Sequence, residues 1–307
     1  MRNRPILKRG CAYWLRLLTF GLVGGLTLAC LAIEVFYIHV VTRSAQRQVC
    51  CQTPADLGLE YETVNFTSQD GIDLSGWYIP SQNGTAVILL HGYGANRVEM
   101  LPRAEILARH SYGVLLYDER AHGESGGRLR AFGWEDVPDV MAALDYLETR
   151  PDLSGGRFGV LGFSIGGQIA MRAAAETQRI QAVVADDPGF VTVQDAPPPE
   201  TFGEQLIYAV NLVDAWGVSV RTGVHTPPGV PQAINKIAPR PILFISTGQG
   251  LAQRLIRYYY SLAQEPKRLW EIPETHHGGQ VQARPEEYEE KVIEFFDSAL
   301  LGKDDAP

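Results

Sequence analysis

The sequence has no cysteine after Cys51, although the chain is 307 residues long. Its four thiols, which belong to Cys11, Cys30, Cys50 and Cys51, all lie near the N-terminus. A main region without thiols has no disulfide scaffold, cysteine-based zinc cluster or thiol nucleophile. A nucleophile in that region must therefore be of another kind.

Positive charge is also scarce in the main part of the chain. Residues 1–50 carry seven basic side chains and one acid, for a net charge of +6, whereas the remaining 257 residues carry 20 basic and 34 acidic groups, for −14. Nucleic-acid binding depends on clustered Lys and Arg, so we expect no nucleic-acid partner. The length and the apolar fraction of 45% suit one large α/β domain or two small ones and exclude a disordered or collagen-like chain.

One long apolar run distinguishes the basic N-terminal region. Residues 17–33 carry no charge, and apolar character continues past Glu34 to residue 41. A helix over residues 17–41 would be about 37 Å long, enough to cross a bilayer core of about 30 Å. Because five basic residues precede the run, the positive-inside rule places the N-terminus in the cytoplasm. Residues 1–50 are thus predicted as a basic flank and single-pass anchor, and residues 51–307 as a domain outside the cytoplasm.

Alternatives for the N-terminal region are a secretory signal that is cleaved and a lipoprotein processing site at Cys30. Gly21 and Gly25 have the G-x-x-x-G spacing that lets two membrane helices approach closely. This spacing predicts a weak homodimer. The simpler interpretation is that both glycines face lipid.

The rest of the chain alternates between short apolar runs and longer amphipathic ones. Runs rich in Val, Ile and Leu are typical of strands buried on both faces, and we predict strands at 60–67, 74–79, 86–90, 114–117, 158–161, 182–185, 242–245 and 268–272. Helical periodicity occurs at 97–110, 134–148, 165–176, 251–264 and 285–300. This order predicts an α/β fold with a mostly parallel eight-stranded sheet and helices on both faces.

Residues 194–239 interrupt the alternation. This segment is rich in proline and contains one helical pattern, at 202–220. It is too long for a plain loop between two strands. We interpret it as a small lid over a substrate cleft, with an inert insertion as the alternative.

A serine motif follows the fifth predicted strand. Residues 162–166 match G-x-S-x-G, in which the serine occupies a sharp turn from strand to helix and its glycine neighbours keep the backbones from colliding. Ser164 is therefore the predicted nucleophile. The backbone N–H groups of Ile165, at the start of a helix, and of Tyr93, in the loop after the third strand, are the predicted oxyanion donors.

A serine nucleophile needs a histidine as its base. His276 and His277 both follow the last predicted strand, and the order of Ser before His fits a hydrolase. Their adjacency leaves the choice open. His91, in the same loop as Tyr93, is expected to hold that loop by side-chain hydrogen bonds rather than to take part in catalysis.

Between about residues 54 and 300 the chain resembles the α/β-hydrolase superfamily, specifically the bacterial serine hydrolases related to esterases. The matching segments are 70–71, 76–80, 91–94, 117–125, the serine motif and 265–267. In that family the catalytic histidine usually lies four residues after the proline that ends the last strand, which implies His277.

The resemblance leaves the catalytic acid open. Relatives normally place an Asp or Glu a few residues after the seventh strand, but residues 246–253 contain no carboxylate. Some relatives carry the acid after the sixth strand, where this chain has Asp186 and Asp187, only one of which can face the histidine. The alternatives are a site in which Gln249 or water orients the histidine, and a non-catalytic relative.

These features predict a membrane-anchored serine hydrolase with carboxylic esters as substrates and with no metal or organic cofactor. A peptidase, thioesterase or acyltransferase on the same fold is one alternative. A non-catalytic, membrane-tethered binding protein is another.

Overall fold

The computed structural model describes residues 7–153 and 155–303. Eight strands form one sheet, as predicted. They are β1 (Glu62–Thr67), β2 (Asp73–Ile79), β3 (Thr85–Leu90), β4 (Gly113–Tyr117), β5 (Arg157–Phe163), β6 (Ile180–Asp186), β7 (Ile242–Thr247) and β8 (Lys267–Ile272). Their order across the sheet is β8-β7-β6-β5-β3-β4-β2-β1. Strand β2 runs antiparallel to both of its neighbours, β1 and β4, and the other neighbouring strands are parallel.

Helices cover both faces of the sheet, which confirms the predicted fold class. Their bounds are α1 (Leu7–Thr42), α2 (Leu101–Arg109), α3 (Val137–Glu148), α4 (Ile165–Glu176), α5 (Phe202–Thr222), α6 (Leu251–Leu262) and α7 (Pro285–Phe296). Helices α3, α4 and α6 contribute to the core on one face, whereas α2 and α7 contribute to the core on the other. Helix α3 begins three residues later than predicted, with Pro138 in its first turn, where the missing N–H costs nothing.

The segment between β6 and β7 leaves the sheet, and α5 is its main element. The helix begins at a capping box, in which the hydroxyl of Thr201 accepts the N–H of Glu204 at 3.2 Å. It ends where Gly223 takes the left-handed conformation, with φ of 79°, which glycine adopts without steric cost.

The N-terminal helix α1 is apolar, and most of it lies outside the body of the protein, which is the sheet and the helices packed on it. Residues Tyr13–Thr42 form a candidate membrane span with a mean hydropathy of 1.9, and the most apolar part of that span is not buried inside the protein. The C-terminal part of α1 contacts the body: Ile38 packs on Gly217 of α5, and Thr42 O accepts the N–H of Arg130 at 2.9 Å. Ala45 then begins a two-residue parallel pairing with His122. The predicted homodimer through Gly21 and Gly25 stays a prediction, because the structure describes a single chain.

Candidate active site

Ser164 lies at the turn between β5 and α4. Its φ of 55° and ψ of −118° are unusual for a residue other than glycine, and they leave the serine at the tip of the turn. A side chain at Gly162 would collide with the backbone of Gly166, and one at Gly166 would collide with the backbone of Leu90. The two glycines are thus required by the close approach of neighbouring backbones, as the motif predicts.

His277 lies on the loop after β8, next to Ser164. Its Nε2 is 2.9 Å from Ser164 Oγ, and its ring centroid is 4.9 Å from that of Phe163. His276, the other candidate, precedes it on the same loop, and both side chains are exposed. The structure therefore brings His277 to the serine.

Asp187, directly after β6, lies on the other side of the imidazole. Its Oδ2 is 2.6 Å from His277 Nδ1, and its side chain is only 2% exposed. The carboxylate also accepts hydrogen bonds from Thr247, through the backbone N–H at 3.1 Å and through the hydroxyl. These contacts favour the tautomer in which Nδ1–H donates to Asp187 and Nε2 accepts from the Ser164 hydroxyl.

The electrostatics of the pair match this arrangement. Burial alone would raise the pKa of Asp187, but the hydrogen bonds from His277 and Thr247 outweigh it and hold this pKa below its usual value. The hydrogen bond to Asp187 raises the pKa of His277 above 6.5, although partial burial opposes the shift. Asp187 is therefore ionised at neutral pH and stabilises the protonated form of His277.

Asp186 does not reach His277, which corrects its place among the catalytic candidates. Side chains alternate along a strand, so Asp186 points to the opposite face of the sheet. There it is fully buried and accepts from Arg103 at 2.8 Å, from Tyr288 at 2.8 Å and from Gln280 at 2.6 Å. Gln249, the other proposed orienting group, is exposed.

Of the two predicted oxyanion donors, Ile165 directly follows Ser164 in the chain, and Tyr93 lies in the loop after β3, which pairs with β5 in the sheet. As the first residue of α4, Ile165 has an N–H with no acceptor inside the helix. The Tyr93 N–H makes no backbone hydrogen bond within the described residues. The ring of Tyr93 stacks on Phe132 with centroids 4.8 Å apart, and its hydroxyl donates to Val41 O, so its loop is held on both sides.

Two buried histidines support that loop. Ligand atoms of His91, His122 and Glu119 lie within 4.8 Å of one another, a distance that could suit a metal ion. However, all four ring nitrogens already have backbone partners, at 2.8–3.1 Å. Burial lowers the pKa of His91 to about 4 and that of His122 to about 3. These rings are neutral and fully hydrogen-bonded, so they hold the loop, as expected for His91.

Ser164, His277 and Asp187 form a triad of hydrogen-bonded side chains. A cavity of about 280 Å³ adjoins this triad, with Asp187 and His277 in its wall. Apolar side chains of α5 and α6 form much of its wall, including Ile207 and Leu255. Arg254 of α6 and Glu204 of α5 pair at 2.8 Å beside it, which ties the two helices together. The sequence did not indicate these lining residues, nor Thr247 as a second partner of the acid.

Comparisons with known proteins find this fold elsewhere. A family model described as the alpha/beta hydrolase fold matches residues 85–239, just over half of the chain. The uncharacterized protein YfhR of Escherichia coli K12 is 29% identical over 253 residues, which cover 78% of this chain and 81% of YfhR. The thiohydrolase aneE of Aspergillus aculeatus is 28% identical over 191 residues, covering 60% of this chain and 58% of aneE. Among solved structures, the Pyrococcus furiosus esterase Pf2001 aligns with a TM-score of 0.69 and 27% identity, covering 84% of this chain and 98% of the esterase.

Proposed function

The chain belongs to the α/β-hydrolase family, and on that premise we propose that it is a serine hydrolase that cleaves carboxylic esters through an acyl-enzyme. The observation that carries the proposal is the continuous hydrogen-bond chain from Ser164 through His277 to Asp187. Acyl transfer by serine needs this arrangement of a nucleophile, a base and a carboxylate that orients the base.

In the first step, His277 Nε2 accepts the hydroxyl proton as Ser164 Oγ attacks the ester carbonyl. The N–H groups of Ile165 and Tyr93 stabilise the negative oxygen of the tetrahedral intermediate. Protonated His277 then gives its proton to the leaving alcohol, and the acyl group remains on Ser164. Water then attacks the acyl-enzyme as it gives a proton to His277, and His277 returns this proton to Ser164 Oγ as the acid is released. Asp187 keeps Nδ1 protonated throughout.

An ester substrate is supported by the apolar cavity wall, which suits an acyl chain, and by the similarity to the esterase Pf2001. A thioester is the second candidate, because one relative is named a thiohydrolase and the same steps would release a thiol. The contact between Asp187 and His277 favours catalysis over the non-catalytic alternative, which rested on the absence of an acid after the seventh strand.

The proposal also places the hydrolase at a membrane, with α1 as an uncleaved anchor, the N-terminus in the cytoplasm and the body outside it. The exposed apolar surface of Tyr13–Thr42 and the basic residues before it support this topology. A cleaved signal would instead give a shortened chain that is released from washed membranes.

Labelling with a fluorophosphonate probe tests the chemistry. Membranes that contain the wild-type chain should show a labelled band at full length and hydrolyse 4-methylumbelliferyl acetate. Ser164→Ala should lose the label and the ester turnover while it remains folded and membrane-bound. A folded wild-type protein that takes up no label would rule out the serine hydrolase.

A further inference from the structure

Helix α5 exposes its apolar side, unlike a helix on a water-exposed surface. Its outward face is mostly apolar, with Gln205 as an exposed polar exception, and its apolar side chains are 47–81% exposed: Phe202, Leu206, Val210, Leu212, Val213, Trp216 and Val220. The polar side chains of Glu204, Asn211 and Asp214 lie half-buried on the opposite side. Surface helices of soluble proteins turn their polar side outward, and a large exposed apolar patch marks an interaction site.

This outward face adjoins the end of α1. Ile38 of α1 packs directly on Gly217, where any side chain would collide with it. Further along both helices, Arg221 donates to His39 Nδ1 at 3.3 Å. The contacts advance in the same order along both helices, so α5 runs beside α1 in the same direction. Its apolar face therefore continues the exposed apolar surface of α1.

Other exposed apolar side chains border the cavity next to Asp187 and His277. Ile207 lies on the same side of α5 as Glu204 and Asn211, lines the cavity and is 53% exposed. Phe190 and Leu251 line the cavity too, and they are 42% and 53% exposed. The cavity thus has an exposed apolar rim on the side of α5.

We propose that the outward face of α5 lies in the bilayer beside α1, and that an acyl-ester lipid reaches Ser164 from the membrane across this rim. The inference rests on the proposed serine hydrolase and its anchor. Continuity with α1 favours lipid over a second copy of the chain as the occupant of this face. Trp216 and Arg221, near the end of α1, are residue types that occur where a helix leaves the hydrocarbon.

Fluorescence quenching by lipid tests the position of α5 without any enzymatic readout. The full chain is reconstituted in phosphatidylcholine vesicles with or without bromine on the acyl chains, and Trp216→Phe is measured in parallel. The difference between the two proteins isolates the emission of Trp216. We expect brominated lipid to quench at least about half of this emission, because Trp216 would then contact lipid near the membrane interface. Equal emission in both lipids would overturn the proposal, including the case in which a second copy covers α5.

A matched pair of esters tests the route of the substrate. 4-Methylumbelliferyl oleate is dissolved in the vesicles, and the acetate of the same alcohol is supplied in water. The double variant Leu206→Asp and Val213→Asp places charge on the outward face, at positions that touch neither the triad nor the cavity. We expect its oleate turnover to fall by about fivefold or more, while acetate turnover stays within about twofold of the wild type.

Two controls separate the apolar face from charge and packing. Leu206→Met with Val213→Leu keeps the face apolar, and Gln178→Asp adds a negative charge at an exposed position after α4. Both should hydrolyse the two esters as the wild type does. An unchanged ratio of oleate to acetate turnover in the charged variant would overturn the membrane route. Loss of fluorophosphonate labelling and acetate turnover in the wild type would instead overturn the proposed hydrolase itself.

Discussion

The two faces of the sheet meet at the carboxyl end of β6, where adjacent aspartates serve two different networks. On the cavity side, Asp187 binds His277, a titratable ring that is 54% exposed. On the other side, Asp186 is surrounded by Arg103, Tyr288 and Gln280, all buried. The first network can move a proton to a substrate, whereas the second holds the ion pair between Arg103 and Asp186 away from water.

The ring of Phe163 lies between the two networks. Its centroid is 4.9 Å from that of His277, and the guanidinium of Arg103 lies over it at 4.9 Å. Sequence position and residue type therefore do not distinguish a catalytic acid from a structural one, but the hydrogen-bond partners of each carboxylate do. Substitutions on each side should separate activity from stability.

The largest effect is expected at His277. His277→Gln removes the base, and we expect kcat for acetate hydrolysis to fall by about 10⁴. His276→Gln is the matched control on the same loop and should stay within about twofold of the wild type. Steady-state kinetics on both variants would contradict the assignment if His276→Gln were the more damaged.

Asp187→Asn should have the next largest effect on turnover. The amide keeps the shape but can present an N–H to Nδ1, which favours the wrong tautomer of His277, and we expect kcat to fall by about 10³ to 10⁴. The midpoint of denaturant unfolding should change little. A fall in kcat of less than about tenfold would instead favour Gln249 or water as the group that orients His277.

Asp186→Asn should have the opposite effect, with a large loss of stability and a small loss of turnover. It leaves the charge of Arg103 buried without its partner, and breaking such a pair costs about 3–5 kcal/mol of the free energy of unfolding. Turnover by the folded fraction should fall by less than about tenfold, because no contact to His277 is lost. Denaturant titration and kinetics on one preparation check both parts, and near-complete loss of turnover with wild-type stability would refute the separation of the two networks.

The fold was largely accessible from the sequence. Buried parallel strands are continuous apolar runs, so all eight were located within a few residues, such as β7 at Ile242–Thr247 against a predicted 242–245. Helix ends were less certain, because they depend on capping and on prolines such as Pro138. Ser164 was identifiable because its turn requires glycines at fixed spacing.

The sequence narrowed the catalytic acid to Asp186 and Asp187, with Gln249 or water as alternatives, but the choice among them depends on three-dimensional detail. Asp187 leaves the strand with a positive φ of 52°, which no local pattern predicts, and the two networks are built by residues far apart in the chain. Thr247 ends the seventh strand, after which relatives usually carry the acid. That position was the one signal in the sequence that Thr247 could contact the acid. The packing of α5 beside α1 likewise joins segments that are distant in sequence.

The smallest expected effect is on the pH dependence of kcat/KM. Neutral His277 is the base, so activity should rise with pH through the pKa of this ring in the free enzyme. Because the hydrogen bond to Asp187 raises that pKa, the midpoint should lie above 6.5 in the wild type. Asp187→Asn should move the midpoint to lower pH, and Asp186→Asn should move it in the same direction but less, since its charge acts only through space. A midpoint that stays in place in Asp187→Asn would mean that the exposed ring is screened by water rather than governed by the carboxylate beside it.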